Sequence, residues 1–543
     1  MAEPAHDDGP AGEGATAEPA TAEPAGERVA TVTAPARGEP AAAGTVRARA
    51  LAEGHAIVDD IISAVTPASV LSAMIALYIY VFGALTWSQQ SNFGTFGFDM
   101  GIYDQGIYLL SRFQADPFDT VRGLPFFAHH VNFVAFLIVP AYWLGAGPHF
   151  LYLFETVVMA LGALPLWLLA KDRFGDGWLA LCPAGAYLLF PSLEWINWWH
   201  FHPDALIITP LLFAYWLATR QRWGWFAVAV AAALICKEDA ALAVVALGVV
   251  VAWKQRRPWL LATAAVGAAW WFFATKVVIP TANGGGQVFY ENLFPGFGTS
   301  LFGIVGTILR HPSRFFNLAL QKERITYYTK LLVPVAFLPL GSLLILVIAG
   351  PQLVVNVISA HGYTHDIKYH YSSIVIAGIF LATVETLGRS SRSIAQRRFL
   401  CGLLMATALA ANVAWSPSPL SVQYHSGIWA LSSTGDRAKN AAVALVPHGA
   451  ATTATYYFVP HLTHRQRIYE FPNPWVVSNW GVNGERAPDP AKVEWLVLDT
   501  SLNGAQEPLY EKLVSYQFQV IYQSGSIVVA HRVHPAGTGP ALG

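Results

Sequence analysis

Charged residues are scarce in this sequence. Asp, Glu, Lys and Arg together make up 12% of its 543 residues, whereas soluble globular proteins carry about 25%. Hydrophobic residues account for 54%. A chain with so little charge cannot cover its surface with solvated groups, so a protein embedded in a membrane is predicted.

Cysteine and net charge are also low. The three cysteines, Cys182, Cys236 and Cys401, lie in or beside apolar segments, and no two have metal-ligand spacing. They are expected to be small hydrophobic core residues. The formal net charge of -1 provides no field that would attract nucleic acid, so nucleic-acid binding is excluded.

The N-terminal segment lacks the composition of a folded domain. Residues 1–60 are rich in Ala, Glu, Pro, Gly and Thr and include the near-repeat "TAEPATAEPAGE". Such a segment buries too little apolar area to offset its ordering entropy, which predicts a disordered cytoplasmic tail. No basic-then-apolar signal pattern opens the chain, so the first hydrophobic segment is expected to act as an uncleaved signal anchor.

Long apolar segments follow. An uncharged run of about 20 residues such as 68–87 is long enough to cross a hydrocarbon core of about 30 Å. Such segments predict a polytopic α-helical membrane domain over 61–415. The apolar segments are 68–87, 131–147, 150–170, 177–191, 204–219, 224–236, 240–253, 258–279, 331–346, 347–360, 370–388 and 399–415.

Short basic clusters predict the orientation, because Lys and Arg concentrate in cytoplasmic loops of plasma-membrane proteins. If 131–147 and 150–170 both crossed, Lys171 and Arg173 would lie outside and every later cluster would be inverted. We therefore expect 131–147 to be a helix at the outer leaflet, which leaves about eleven crossings. The clusters are Arg47 and Arg49, Lys171 and Arg173, Arg220 and Arg222, Lys254 with Arg256 and Arg257, and Arg389 to Arg398.

The outward-facing parts then include a first external loop at 88–149, a second long loop at 280–330, and everything from 416 to 543. The last region changes to alternating patterns, with helical stretches near 436–446 and 506–515. The segments that predict strands are "ATTATYYFV", "RIYEF", "EWLVLDT" and "QVIYQSGSIVVAHR". A small extracytoplasmic α/β domain is predicted there.

Two acids in the first loop are candidate catalytic residues. Asp99 and Asp104 lie in "FDMGIYDQ", and a pair of carboxylates can supply one ionised base and one orienting or cation-binding group. The alternative is that Asp99 caps a helix and Asp104 is simply solvated.

A charged tip between two apolar half-length helices is a second candidate. Lys237, Glu238 and Asp239 are ionisable groups at a depth where such residues are costly and usually line a polar cavity. Lys237 would bind the phosphate of a lipid-linked substrate, with Glu238 or Asp239 orienting it. An ordinary charged turn in the headgroup layer is the alternative.

Histidine-rich segments on the same side complete the candidate substrate-binding set. His200, His202 and Asp204 follow a tryptophan-rich stretch, and Lys368 and Tyr369 lie in "HGYTHDIKYHY" with His361, His365 and His370. A metal site that includes His129 and His130 is one interpretation, and hydrogen-bonding histidines at an interface are the other. The glycines of "TANGGGQVFYENLF" suit either a flap over the site or a plain linker.

The chain resembles a family of bacterial and archaeal membrane proteins called domain of unknown function 2079. The resemblance rests on "FDMGIYDQ", "HFHPD", "CKEDAAL" and "FVPHLTHRQRIYEFP" and covers roughly residues 68–535. That family in turn resembles the GT-C superfamily of glycosyltransferases, whose members also place a helix of the first external loop along the membrane.

The resemblance implies an enzyme that transfers a sugar from a polyprenyl-phosphate donor to an acceptor at the outer membrane face. Asp99 matches the first-loop acid, Asp104 is its neighbour, Asp204 corresponds to a second-loop acid, and Lys237 is the candidate phosphate contact. The sequence has His202-Pro203-Asp204 where the superfamily has Asp-x-Asp, which leaves a divalent cation open as a cofactor. Partners would be the lipid-linked donor and membrane lipids.

Two other functions stay open at this point. A transporter or flippase would use the Lys237 tip as a substrate or proton site, although no internal repeat of the transporter kind is visible. A non-catalytic scaffold would bind glycolipid through the C-terminal domain.

Overall fold

A computed structural model describes residues 65–285, 293–390, 393–424, 434–478 and 489–539. The predicted disordered tail, with Arg47 and Arg49, lies outside these residues, as does part of the glycine-containing segment at 286–292. Within the described ranges the protein is mostly helical, with a small sheet near the C-terminus.

Among the residues that the structure describes, six helices are long and apolar enough to cross a membrane. The first begins with a capping box in which Thr66 and Ser69 exchange side-chain and backbone hydrogen bonds, and Pro67 occupies the first turn. The six are Pro67–Ser91, Pro148–Phe174, Pro258–Ala282, Leu338–Ile358, His370–Arg389 and Ile394–Trp415. Shorter apolar helices are Pro203–Thr219, Trp223–Leu234, Ala240–Gln255 and Leu301–Arg310.

The remaining helices connect these elements. They are Ile102–Ser111, Phe126–His129, Ala135–Trp143, Leu181–Leu188, Pro191–Trp199, Pro312–Ala319, Lys322–Leu332, Thr434–Ala444 and Glu507–Tyr516. A π-helical turn, Gly97–Gly101, directly precedes Ile102–Ser111. The apolar segment 177–191 is helical only over Leu181–Leu188, and the two segments at 331–360 contribute one long candidate span, Leu338–Ile358.

The apolar segment 131–147 folds into a short helix. Ala135–Trp143 has nine residues, or about 14 Å at 1.5 Å per residue, which is far short of a crossing. It packs against the first-loop helix Ile102–Ser111, and its Leu137 is 69% exposed. The length agrees with a helix that does not cross, and its position at the outer leaflet stays a prediction.

Basic residues from distant parts of the sequence meet at one end of the helix bundle, here called the basic end. Arg173 Nη2 and Lys254 Nζ lie 2.6 and 2.8 Å from the two carboxylate oxygens of Glu385. Arg397 donates to the carbonyl oxygen of Phe174 at 2.7 Å. The opposite end, here called the site end, carries Asp99 and the Lys237 tip.

The C-terminal region contains a mixed sheet of five strands. The chain first forms a two-stranded ribbon in the first loop, β1 (Phe118–Asp119) and β2 (Leu124–Pro125). The later strands are β3 (Thr452–Ala454), β4 (Ile468–Glu470), β5 (Trp495–Asp499), β6 (Phe518–Ser524) and β7 (Ile527–Arg532), in the order β4-β3-β5-β7-β6. β3 pairs in parallel with β4 and β5, whereas β7 is antiparallel to β5 and β6. The predicted strands and the two predicted helices are thus present.

The first loop and the C-terminal region share one hydrophobic core. Phe93 and Val121 pack with Tyr457, Phe458 and Val459. Hydrogen bonds join the same parts. The Ile468 backbone N–H in β4 donates to the Thr120 hydroxyl at 2.9 Å, and this hydroxyl donates to the Ile468 carbonyl oxygen at 2.6 Å. The C-terminal region is therefore attached to the loop that carries Asp99.

Candidate functional site

Asp99 lies in the π-helical turn before the first-loop helix. Trp199 donates its indole N–H to Asp99 Oδ2 at 3.2 Å, and His202 Nε2 lies 3.6 Å from Asp99 Oδ1. The turn can approach the C-terminal region closely because Gly97 has no side chain. A Cβ there would lie 2.7 Å from the Val459 Cβ and 3.0 Å from both the Tyr456 carbonyl oxygen and Glu470 Oε2.

The surroundings of Asp99 keep its carboxyl group ionised. Burial by itself raises the pKa of Asp99, but the hydrogen bond and charge of His202, together with His200 and Trp199, outweigh burial and lower the pKa below its ordinary value. A carboxylate at neutral pH follows.

The second loop holds His202 in a fixed orientation. Helix Pro191–Trp199 ends at His200, and Pro203 begins the next short helix, so the two histidines lie on extended backbone between them. His202 Nδ1 contacts the His200 carbonyl oxygen at 3.0 Å, and its backbone N–H donates to Glu155 Oε1 at 3.2 Å. His200 is buried and its Nδ1 lies 2.8 Å from the Tyr152 hydroxyl.

Lys237 is already paired with carboxylates. Its Nζ lies 2.9 Å from Asp204 Oδ1 and 3.6 Å from Asp239 Oδ2. Glu238 points elsewhere and accepts from the backbone N–H of Val131 at 2.8 Å. The three ionisable residues of the tip thus have different surroundings, and the charge of Lys237 is largely compensated.

Glu238 also contacts a histidine of the first loop. Its Oε1 lies 2.7 Å from His130 Nδ1. The contact joins the tip to the first loop across 108 residues of sequence.

The segment around 368–371 contributes aromatic rings. Tyr369 packs against Trp199 at 4.7 Å between ring centroids, and His370 stacks on His202 at 3.8 Å. Lys368 lies over the Trp195 ring at 4.7 Å.

A cavity of about 810 Å³ brings these residues together. Its polar part is lined by Asp99, His202, Lys237, Asp239 and Tyr369, all of which the sequence predicts as site residues. Its apolar part lies between three helices and is lined by Leu242, Val245, Ala268, Trp271, Phe272 and Val355. The cavity therefore has a charged end and an apolar groove.

His129, His130 and His370 line the cavity as well, whereas the remaining predicted residues do not. His200, Asp204, Glu238 and Lys368 contact residues that do, or lie behind them. Asp104, on the first-loop helix, is absent from the cavity wall and is completely buried.

Asp104 connects the first loop to the C-terminal region. It accepts from Tyr142 at 2.5 Å and from the Thr463 hydroxyl, and it lies 3.3 Å from His464 Nε2. Asp104 therefore has the contacts of a structural residue.

Two cations of the cavity were missed by sequence reasoning. Lys276 and Arg122 line it. Lys276 is the single charged residue between Pro258 and Ala282, and an ionisable residue in a span is a signal that could have revealed it. Arg122 carries no such signal, because it follows Asp119 in a loop that is polar anyway.

A divalent cation does not fit the described donor set. In the five described ranges no group of three or more His, Cys, Asp and Glu side chains is arranged to hold a metal ion. We derive no step through a cation.

The helical bundle with its long apolar helices defines a polytopic α-helical membrane protein. The fold is similar to that of ArnT from Cupriavidus metallidurans in the apo state, with a TM-score of 0.51, 13% identity, and coverage of 87% of this chain and 99% of that one. The chain belongs to the family described as "Predicted membrane protein (DUF2079)", whose model matches residues 90–527.

Further comparisons give weaker likeness. ArnT from the same organism bound to undecaprenyl phosphate has a TM-score of 0.49, 13% identity, and coverage of 87% of this chain and 100% of that one. The Archaeoglobus fulgidus oligosaccharyltransferase in complex with Zn and sulfate has a TM-score of 0.34, 13% identity, and coverage of 84% and 73%. No curated protein matches the chain. At 13% identity, the similarity between this chain and ArnT concerns the fold alone.

Proposed function

We propose that this protein is a membrane glycosyltransferase that transfers a sugar from a polyprenyl-phosphate donor to an acceptor at the outer membrane face. The observation that carries the proposal is the cavity, which joins an ionised carboxylate to an apolar groove between membrane helices. An isoprenoid chain fits the groove, and the sugar phosphate fits the charged end. ArnT, whose fold the chain shares, has also been crystallised with undecaprenyl phosphate.

In the proposed reaction Asp99 removes the proton from an acceptor hydroxyl. The hydroxyl oxygen then attacks the anomeric carbon of the donor sugar. The bond between that carbon and the phosphate oxygen breaks, and the lipid phosphate leaves with the electron pair. Trp199 and His202 act as positioning residues, because they hold the two oxygens of Asp99 and keep the carboxylate ionised.

Lys276 and Arg122 are the proposed contacts for the departing phosphate. Both line the cavity, and a cation near the phosphate stabilises the charge that develops as the bond breaks. Lys237 is less suited than the sequence suggests, because Asp204 and Asp239 already balance its charge. We propose that Lys237 instead holds Asp239 at the cavity wall and Asp204 behind it.

We also propose about eleven crossings, with the basic end in the cytoplasm. Support comes from the segment between Arg324 and Ser342, most of which lies outside the candidate spans. Arg324 donates to the Ser359 carbonyl oxygen at 3.1 Å, at the site end, while the Ser342 hydroxyl lies 2.6 Å from that of Thr386, near the basic end. The segment therefore runs the full length of the bundle.

We propose in addition that the N-terminal tail is cytoplasmic and that the C-terminal region lies outside. Pro67, the first helical residue, lies beside Gly177 near the basic end, 3.2 Å from where a Cβ of that glycine would be. Asn412, near the end of the last span, donates to the Leu189 carbonyl oxygen at 2.9 Å on the other side of the bundle.

The experiment is mass spectrometry of lipid-linked sugars and surface glycans in a deletion strain. Complementation with the wild type should restore a sugar that the deletion removes, and Asp99→Asn should not, although the variant is inserted at normal levels. Asp116→Asn is the matched control, because Asp116 is an exposed acid of the same loop. An unchanged glycome, with a solute or lipid retained on one side of the membrane, would replace the transferase with a transporter.

A further inference from the structure

The helices Leu301–Arg310 and Pro312–Ala319, here called the 301–319 helix pair, have an apolar face that nothing in the described protein covers. Ile304 and Ile308 pack inward against Phe297 and Ile358. Phe302 and Leu309, on the opposite side of the first helix, are 88% and 75% exposed.

These exposed residues form a stripe. Phe302, Val305 and Leu309 recur at intervals of three and four residues and so lie along one side of the helix. Phe316 and Leu320 continue the exposed apolar surface at the second helix. An isolated exposed hydrophobic residue needs no explanation, whereas a continuous stripe on an amphipathic helix indicates a partner.

The charge of the pair has one sign. Between residues 293 and 322 there is no Asp or Glu. The basic residues of the pair itself are Arg310, His311 and Arg314, and Lys322 follows it beside Glu323. A surface that combines an apolar stripe with only positive charge is complementary to anionic lipid rather than to water or to a basic protein.

The position of the pair agrees with a membrane surface. Its inward face packs on Val354, Val355 and Ile358, which form the last turn of the candidate span Leu338–Ile358. The pair therefore lies at the level where a span leaves the hydrocarbon core. Phe302 also lines the cavity, as does Phe272 of a second span, and Phe272 is itself exposed.

We propose that the 301–319 helix pair binds the anionic phospholipids of the leaflet at the site end. Phe302, Val305 and Leu309 enter the boundary of the acyl chains, and Arg310 and Arg314 contact lipid phosphates. The proposal does not depend on the reaction of the cavity. Since Phe302 lines the apolar groove, the bound lipids form part of the border between the bilayer and the cavity.

The first test is photocrosslinking of the full-length protein in nanodiscs that contain phosphatidylcholine and phosphatidylglycerol. With p-benzoylphenylalanine in place of Leu309, we expect phospholipid adducts in the mass spectrum. The same group in place of Tyr456, an exposed residue of the C-terminal region, should give none. Adducts with a second copy of the chain or another protein, or no lipid adduct at position 309, would overturn the proposal.

The second test measures the charge requirement. Native mass spectrometry should show phosphatidylglycerol enriched over phosphatidylcholine on the wild type. Each removed arginine should reduce that enrichment by about fivefold, so the double variant Arg310→Gln/Arg314→Gln should lose most of it. The control is Arg437→Gln/Arg467→Gln, two exposed arginines of the C-terminal region.

A phospholipid adduct at position 309 of the double variant shows that its 301–319 helix pair is still folded. If the variant still gives the adduct at position 309 and keeps the full enrichment, anionic headgroups are not the partner. If the control pair loses the enrichment equally, the effect is one of net charge and the proposal also fails.

Discussion

Lys237 and Asp204 form a buried ion pair, with 2.9 Å between Nζ and Oδ1. The pair connects the tip of one helical hairpin to the second loop and leaves little free charge on the lysine. Because the two residues are 33 positions apart in the sequence, the sequence alone does not predict that they pair.

Replacing one member of this ion pair should destabilise the protein more than replacing both members with apolar residues. Lys237→Met leaves Asp204 buried without its cation, which costs about 3–5 kcal/mol. The double variant Lys237→Met/Asp204→Leu should recover part of that loss. The measurement is thermal unfolding in one detergent, with the exposed Lys276→Met as a control that stays within about 0.5 kcal/mol of the wild type. A single variant as stable as the control would show that the pair contributes nothing.

Substitution of Lys276 should lower the efficiency with which the lipid-linked donor is used, without changing the stability of the folded protein. If it contacts the phosphate of the lipid carrier, Lys276→Gln removes a charge-assisted hydrogen bond and lowers kcat/KM for the lipid-linked donor by about 10- to 100-fold. Lys492→Gln, an exposed lysine of the C-terminal region, provides the comparison. Unaltered kinetics in Lys276→Gln would move the phosphate contact to Arg122.

His202 should set the acid limb of the pH profile. Among the groups that lower the pKa of Asp99, the hydrogen bond and charge of His202 are the largest. His202→Gln therefore raises that pKa, and because the base works ionised, activity is lost at a higher pH on the acid side. The profile of kcat/KM against pH measures the change, and His448→Gln, an exposed histidine, should leave it in place. A variant with lower activity and the wild-type acid limb would restrict His202 to packing.

Glu470 should make the protein less stable as the pH rises. Burial, followed by the charge of Asp99, raises the pKa of Glu470 to about 7. The folded protein therefore binds this proton more tightly than the unfolded chain, so stability is full below about pH 4.5 and falls as the pH rises towards 7. The loss is up to about 3 kcal/mol.

Glu470→Gln removes this dependence, and the variant should be the more stable protein at pH 8. Thermal unfolding of both proteins at pH 5 and pH 8 is the measurement. Glu511→Gln, which replaces an exposed acid on the helix Glu507–Tyr516, should retain the wild-type slope. A slope that is the same in all three proteins would contradict the assignment.

Local sequence patterns predicted the elements better than their contacts. The patterns "EWLVLDT" and "QVIYQSGSIVVAHR" predicted β5, β6 and β7 because β-branched and aromatic residues favour strands. Burial does not alternate along them, since β5 and β7 are buried at consecutive residues and β6 is largely exposed. The pattern "ATTATYYFV" yields only Thr452–Ala454 as a strand, since the following residues turn to pack against the first loop, where Gly97 donates to the Tyr456 carbonyl oxygen at 2.9 Å.

The candidate site was predictable where its residues are unusual for their surroundings. Asp99, His202 and Lys237 are polar residues beside apolar segments, and the structure brings all three to one cavity. Asp104 carries the same signal and lies elsewhere, because its partners Tyr142 and Thr463 become neighbours only in the folded chain.

The core shared by the first loop and the C-terminal region has a consequence for the order of biosynthesis. Thr120 and Ile468 bond to each other across 348 residues, which a ribosome adds in roughly 20–70 s at about 5–20 residues per second. During that interval the loop with Asp99 exists without the strands that complete its packing. Newly made protein therefore acquires a finished site only when its last segment has been synthesised and has folded onto the first loop, and a chain truncated before β4 would have the helical bundle and an incomplete site.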